Sequence, residues 1–569
     1  MNFSKKIFKT KLWLPITIVL LVLLNWLASA WHTRIDFTNE KRFTLSRPTK
    51  ILLRNLDDEV EIDVCLKGDL PSGFKKLANS TDELLQEFNE ATGKNLTYHF
   101  VSPDDDVDGS SETYADTLAA MGAYPINLKS QLKAGEQQQY IYPLALVHYK
   151  GNVVPVNLYS GNKMFISFEE LNSAEALMEY EFASAINKLT QTTKPLVAYA
   201  IGNGESVEDN TYDLQITTRQ NYNLFQFNLN TQPAIPDTFK LLMIVKPKQP
   251  FSAEEKLKID QYVMRGGKLL LFEDKLEAEM DSLQIKNEVI AYDRGLNLDD
   301  LLFRYGVRIN SDLIMDLQCD VLPFDTNGNG QYEWLSWNYF PVFQTKANPV
   351  TSKNIYVAGR FVNSIDTVEA DGIQKTVLLS SSANSRTIAT PALISGKENV
   401  NAPEDDKFKK AAIPAAILLE GKFESVYNNH LSQQMRDSLA AYGGTFMSQC
   451  TDDNKMIIVS DGDMVLNDKD KTGQPIPMGM NPYTYGTQKE FPFANKDFFQ
   501  NCLDYLVNQS GLSEAKAKDY TLRLLDPVKL EDERMEWEIG NIIGPILLVL
   551  LFGSIYQWWR KRRYTNTNG

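Results

Sequence analysis

Two uncharged apolar stretches, one near each end of the chain, constrain this sequence more than any other feature. Leu12 to Trp31 reads LWLPITIVLLVLLNWLASAW, and Ile539 to Trp559 is likewise uncharged, giving runs of 20 and 21 residues. A helix rising 1.5 Å per residue needs about 20 residues to cross roughly 30 Å of hydrocarbon. A single lipid-embedded segment satisfies its own backbone polar groups only as a helix. Trp13, Trp26, Trp31, Trp537, Trp558 and Trp559 lie at or near the ends of these stretches, where indole rings favour the interface. Lys5, Lys6, Lys9 and Lys11 precede the first stretch, and Arg560, Lys561, Arg562 and Arg563 follow the second. The positive-inside bias therefore predicts both termini in the cytoplasm and the bulk of the chain outside it. Ala28-Ser29-Ala30 also reads as a signal-peptide cleavage site. The apolar run exceeds the usual core of about 7 to 15 residues in such peptides, which favours a retained anchor.

The net charge is −15. Removing the eight basic residues of the two tails leaves about −23 for the segment between them. So acidic a segment is a poor partner for nucleic acid or an anionic lipid surface, and suits cationic groups or solubility alone. Cys65, Cys319, Cys450 and Cys502 are far apart with no C-x-x-C, so neither a zinc ribbon nor a dithiol redox motif is present. Cys65 follows the apolar strand pattern Val60-Ile62-Val64 and is expected as a buried thiol. Only four histidines occur, a thin supply for acid–base or metal chemistry.

Between the apolar ends the pattern is α/β. Val60–Leu66 alternates as a strand, an amphipathic helix is predicted over about Ser72–Ala91, Gly93 stops it, and Asn95–Val101 forms a second strand. A short helix near Tyr114–Met121 follows, then strands over about Gln139–Tyr149 and Val153–Leu158 joined by Lys150-Gly151-Asn152, and a helix over about Phe168–Leu189. This order is thioredoxin-like in outline, without the redox pair. Pro195 opens a second module of buried strands, Leu196–Ile201, Leu241–Pro247 and KLLLFED, separated by helical sequence. Ser252 and Glu255 form a capping box for the helix SAEEKLKIDQYVMR. MIIVSDGDMVLN supplies a later strand and about Ala494–Gln509 a later helix. Near-continuous apolar strands alternating with helices predict a parallel sheet covered on both faces. The stretch from about 276 to 445 reads as a long irregular insertion, and its charge-dense part, 397–410, as an exposed mobile loop. The expected domains are 1–31, 32–192, 193–530 and 531–569.

FTNEKRFTLSRPTKILLRNL followed by GDLPSGFKKL resembles the N-terminal signature of the GldG family of gliding-motility ABC transporter auxiliary proteins. YEFASAINKLT, KIDQYVMRGGKLLLFED, SDGDMVLND and NKDFFQNCLDYL match later blocks, so the resemblance covers nearly the whole chain. It implies a Bacteroidetes-type bacterium, an inner-membrane protein with a periplasmic domain, and partnership with a membrane permease subunit and a cytoplasmic ATPase. It also implies that the second module is similar to class I glutamine-amidotransferase-like sheets.

That kinship raises the question of catalysis. An amidotransferase needs a cysteine on a tight strand-to-helix turn and a His–Glu pair. None of the four cysteines is flanked by the needed glycines, and His430 has no acidic orienter beside it. No G-x-x-x-x-G-K-[ST] occurs, so a partner must supply ATP hydrolysis. Gly202-Asn203-Gly204-Glu205 is too short for a dinucleotide fingerprint and reads as a turn. Asp325, Asn327 and Asn329, with Gly330, fit the first half of a calcium loop, but Ser336 stands where the bidentate glutamate belongs. Asp461 and Asp463 follow a buried strand, where open α/β sheets place ligands. The alternative is a turn capped by its own aspartate. Gly540 and Gly544 have the small-x-x-x-small spacing that permits close helix approach.

The reading that unites these features is a non-catalytic auxiliary subunit without a cofactor, engaging a substrate or envelope partner outside the membrane. A free-standing envelope binding or structural protein is the alternative. N-terminal sequencing of the membrane-extracted protein is expected to read the chain upstream of Leu12. A start near Trp31 would remove the first anchor.

Overall fold

The computed structural model describes residues 18–23, 44–512 and 527–565, apart from interior gaps at 94, 108–111, 122–124, 133–134, 160–167, 192, 281–282, 284–287, 325–330, 347, 349, 352–354, 396–404, 429–430, 442–444, 488 and 509–510. Of the first apolar stretch only 18–23 is described, and it is helical and exposed. The calcium-loop candidates Asp325, Asn327 and Asn329, and also His430, lie outside the described residues. The chain divides into two compact units, Met1–Asp519 and Tyr520–Gly569.

The larger unit begins with α1 (Arg47–Arg54), capped by the Ser46 hydroxyl. Strand β1 (Val60–Val64), helix α2 (Ser72–Ala91) and strand β2 (Leu96–Phe100) follow. The strands pair in parallel from Val60 opposite Leu96 to Val64 opposite Phe100. β3 (Leu144–Tyr149) runs antiparallel to β1, and β4 (Asn152–Asn157) returns beside it. Lys150 and Gly151, at φ 49° and 78°, make the turn between them. This left-handed pair is what a tight hairpin requires. The sheet order is β2-β1-β3-β4. α2 and α3 (Phe168–Thr190) cover one face, with Phe74, Leu77, Leu85 and Phe88 packed among Phe182, Ala183 and Ile186. Cys65, Leu144 and Leu146 face the other way, against Tyr114 and Leu118 of the helix Tyr114–Ala120.

The second sheet contains β5 (Leu196–Ile201), β6 (Asn223–Asn228), β7 (Phe239–Val245), β8 (Lys268–Phe272), β9 (Ile373–Ser380), β10 (Pro414–Gly421) and β11 (Asn454–Val459), in the order β9-β10-β11-β8-β7-β5-β6. β6, β5, β7, β8 and β11 are mutually parallel. Counted along the chain they stand 2-1-3-4-5, an order of doubly wound sheets. Helices α4 (Tyr212–Asn221), α5 (Ala253–Met264) and α6 (Asn495–Val507) cover the faces. Alternate residues feed two cores. Leu241, Met243 and Val245 pack with Leu214 of α4 and with Phe498 and Phe499 of α6, whereas Leu242 and Ile244 pack with Ile259 and Val263 of α5. The expected capping box is present at the start of α5, where Ser252 Oγ accepts from Glu255 N and the Glu255 carboxylate from Ser252 N.

The stretch expected to be irregular is instead rich in strands. β9 and β10 extend the main sheet antiparallel at its edge. Further strands pair around a small aromatic core of Trp337, Tyr339, Phe340 and Phe361. These strands are mostly short, and several pair with partners distant in sequence. Ile314, for example, stands opposite Thr387, so no local periodicity announces them. Within the charge-dense loop, residues 396–404 lie outside the described set, while Phe408 is buried against the aromatic core. The smaller unit is the helix α7 (Pro527–Thr565), of which Ile539–Arg562 is long and apolar enough to cross a membrane.

Gly267 sits where a Cβ would lie 2.3 Å from the ring of buried Tyr262. Gly267→Ala is expected to destabilise the larger unit by roughly 1–3 kcal/mol through overpacking, measured by denaturant titration.

Candidate functional site

The C-terminal ends of the parallel strands converge on one edge, which is where doubly wound sheets bind ligands. The sequence places charges immediately after three of these apolar strands: Lys246 after β7, Glu273-Asp274-Lys275 after β8, and Asp461 and Asp463 after β11. Lys246 adopts φ 47° and is 3 % exposed. Its ammonium lies 2.6 Å from Asp463 Oδ1, 2.9 Å from Glu279 Oε2 and 3.3 Å from Asp274 Oδ2. Arg294 binds the other oxygen of Glu279. Gly462 N donates to Asp274 Oδ1, and a Cβ on Gly462 would lie 2.7 Å from the Lys246 side chain. The two strand ends are therefore pressed together around one cation.

Asp461 is wholly occupied by backbone. Its Oδ1 accepts from Asp463 N at 2.9 Å and Met464 N at 3.1 Å, capping the following turn, and its Oδ2 accepts from Arg360 N at 2.8 Å. The Arg360 guanidinium pairs with Asp468. Asn363 donates its N–H to Ser460 O, and its Oδ1 accepts from Lys275 N at 2.8 Å. The segment 359–364 thus lies directly across the ends of β8 and β11.

The charges separate in character. Burial pushes Asp461 well above the usual carboxylate range, with Asp274 and Asp463 adding to the effect. Burial also raises Asp274, to about 6, against the pull of Lys246. For Asp463 burial is outweighed by Lys246 and Arg360, so its carboxyl falls below its ordinary value. Burial works against the Lys246 ammonium, yet Asp463, Asp274 and Glu279 together hold it more firmly protonated than usual. Beside this network Lys275 pairs with Asp299 at 2.6 Å, and buried Glu273 keeps one oxygen without a hydrogen-bond partner. Burial lifts the Glu273 carboxyl to about 8. At the β5 end, Gly202 and Gly204 take φ 126° and 81° and make the expected turn. There Asn203 Oδ1 and Glu205 Oε1 are buried without partners, and burial raises Glu205 to about 7.

Asp274, Asp461 and Asp463 place carboxylate oxygens within 4.8 Å of one another. A hard cation would seek such oxygens. Here the Lys246 ammonium pairs with two of the three carboxylates, while the third is spent on backbone N–H groups. Charges that immediately follow buried strands were a sequence signal for Lys246 and Asp274. Glu279, Arg294 and Arg360 come from the insertion, and nothing in their local sequence marks them. All four cysteines are free. Burial pushes Cys65 and Cys319 each up to about 12, so both stay as thiols at neutral pH.

Fold and site together define a doubly wound α/β protein whose ligand edge is closed by its own ion network. Residues 194–502 match the family described as an ABC-type uncharacterized transport system, and the chain belongs to that family. Residues 39–148 match a domain family of unknown function. An uncharacterized protein of Borreliella burgdorferi is 21 % identical over 563 residues, covering 97 % of each chain. Among solved structures, the mmIFT52 N-terminal domain shares 13 % identity with a TM-score of 0.30, over 55 % of this chain and 97 % of that one. An exo-β-1,4-mannosidase, Op5Man5 from Opitutaceae bacterium strain TAV5, shares 9 % with a TM-score of 0.18, over 52 % of this chain and 35 % of that one. At these scores neither structure informs function.

Lys246→Met leaves buried carboxylates without their cation and is expected to cost roughly 3–5 kcal/mol at pH 7, read by denaturant titration. Glu273 behaves oppositely. Its native carboxyl keeps a proton that the unfolded chain, at about 4.5, has released. Native stability from this group therefore falls as pH rises from about 4.5 to about 8. Glu273→Gln should abolish that fall, gaining on the order of 3 kcal/mol over the wild type by pH 8 and little at pH 4.5.

Proposed function

We propose that the chain is a non-catalytic, membrane-anchored auxiliary subunit of an ABC complex of the gliding-motility type. Its acidic α/β domains stand in the periplasm, and both termini lie in the cytoplasm. The observation that carries this reading is the family match across residues 194–502. The resemblance of FTNEKRFTLSRPTKILLRNL and the later blocks to GldG supports the narrower assignment. The first module supplies a thioredoxin-like scaffold and the second an amidotransferase-like sheet without the catalytic residues. The ion network at the strand ends supports a structural role for that edge, because Lys246, Asp461 and Asp463 are engaged with the protein itself. Energy would come from a cytoplasmic ATPase through a permease subunit. α7 would serve as one of the anchors against that permease, with Gly540 and Gly544 on the approach face.

Affinity purification from native membranes in mild detergent is expected to recover a permease-like protein and an ATPase. Gly544→Leu should sharply reduce their recovery while leaving the amount of this chain unchanged. Purification of the wild-type chain alone, repeated under crosslinking, would overturn the assignment and favour a free-standing envelope protein.

A further inference from the structure

The outermost strands of an open sheet carry backbone groups with no neighbouring strand, and such edges are commonly blunted by proline, lysine or bulges. β4, at one end of the first sheet, carries Pro155. β9, at one end of the second, carries Lys375 and two breaks in its register with β10. β6, at the other end, has none of these devices. Its sequence is NLFQFN, without a charge in a chain of net charge −15. Among the described residues it pairs only with β5.

The ladder decides which of its groups point outward. Asn223 and Leu229 donate their N–H groups to Pro195 O and Ile201 O, on the β5 side. Direction alternates along a strand, so Leu224 and Gln226 turn N–H and C=O away from β5. Phe225 packs on Phe239 with ring centroids 6.3 Å apart, yet remains 51 % exposed. Free ladder groups beside a half-exposed aromatic ring fit another β-strand.

We infer that β6 pairs antiparallel with β6 of a second copy of this chain, joining two seven-stranded sheets about a twofold axis. Such a contact is isologous, the same patch serving both copies. Residues opposite one another in an antiparallel ladder share a face, so the register centres on a residue, and the outward groups of Leu224 and Gln226 allow Phe225. Leu224 of each copy then exchanges hydrogen bonds with Gln226 of the other. The two Phe225 rings meet at a non-hydrogen-bonded pair, where side chains lie closest. Charge favours a second copy as the occupant. Like charges directly opposite destabilise a ladder, and this strand brings none together although the chain as a whole is acidic. Lys194, whose ammonium lies 3.0 Å from Arg219 O, stands at the Asn223 end. The antiparallel arrangement sets it beside the uncharged Asn228–Asn230 stretch of the second copy rather than beside its own counterpart. The contact requires no part of α7, so its failure leaves the auxiliary-subunit assignment standing.

The test is light scattering on the full chain in detergent across a dilution series, where a dimer that dissociates on dilution is expected. Gln226→Pro removes an outward donor without touching the β5 ladder, and Phe225→Lys sets two ammonium groups opposite each other. Each should raise the dissociation constant roughly tenfold or more. Neither position is needed by the β5 ladder or the core, so both variants keep the fold, which circular dichroism verifies. Under mild oxidation Phe225→Cys should give a disulfide-linked dimer, whereas Val377→Cys, exposed on β9 at the opposite edge of the same sheet, should not. A monomer at every concentration, a dimer that both β6 variants leave intact, or a Phe225→Cys disulfide to a different polypeptide in native membranes would overturn the proposal.

Discussion

The buried ammonium of Lys246 is the interaction on which the arrangement of the second sheet depends. Five parallel strands bring their C-terminal ends to one edge, and charged residues follow three of them. Taking such groups out of water costs several kcal/mol each unless they find partners of opposite sign with good geometry. Lys246 meets that requirement by contacting carboxylates from three separate parts of the chain: the end of β8, the insertion and the turn after β11. The strand ends and the insertion are consequently fixed in one arrangement, and the edge that often binds a ligand in this class of sheet is spent on internal neutralisation.

This use of the edge bears on function. A site for chemistry needs groups free to meet a substrate, whereas Asp461 caps its own turn and Asp463 holds Lys246. Cys65 and Cys319 are equally withdrawn, as burial keeps both in the thiol form. Among the described residues of the larger unit, a polar cavity lies between the sheets, lined mostly by helices. This division is consistent with an auxiliary role in an ABC-type transport system.

The elements with strong local signals were legible in the sequence. The 20-residue helix α2, the parallel pair β1 and β2, and the capping box of α5 follow from amphipathic spacing, alternation and Ser252-x-x-Glu255. The insertion was not legible, because its strands are short and their partners distant. Arg360 reaches Asp468 across 108 residues of sequence, and Ser364 reaches Asp312 across 52. The candidate site was half legible. Asp461 and Asp463 could be singled out after a buried strand, but their partners could not, since Lys246 lies 217 residues from Asp463.

The sequence by itself determined two apolar stretches of membrane-spanning length with basic flanks, an acidic α/β middle, and the lack of a P-loop or paired cysteines. These are properties of composition and local spacing, and no packing is needed to read them. Only the tertiary structure decided that the charges at the strand ends neutralise one another. It alone placed Tyr180, Tyr222 and Asp504 together beside a cavity. Charge compensation and enclosure depend on which distant residues become neighbours, and that is settled when the strands take their order in the sheet.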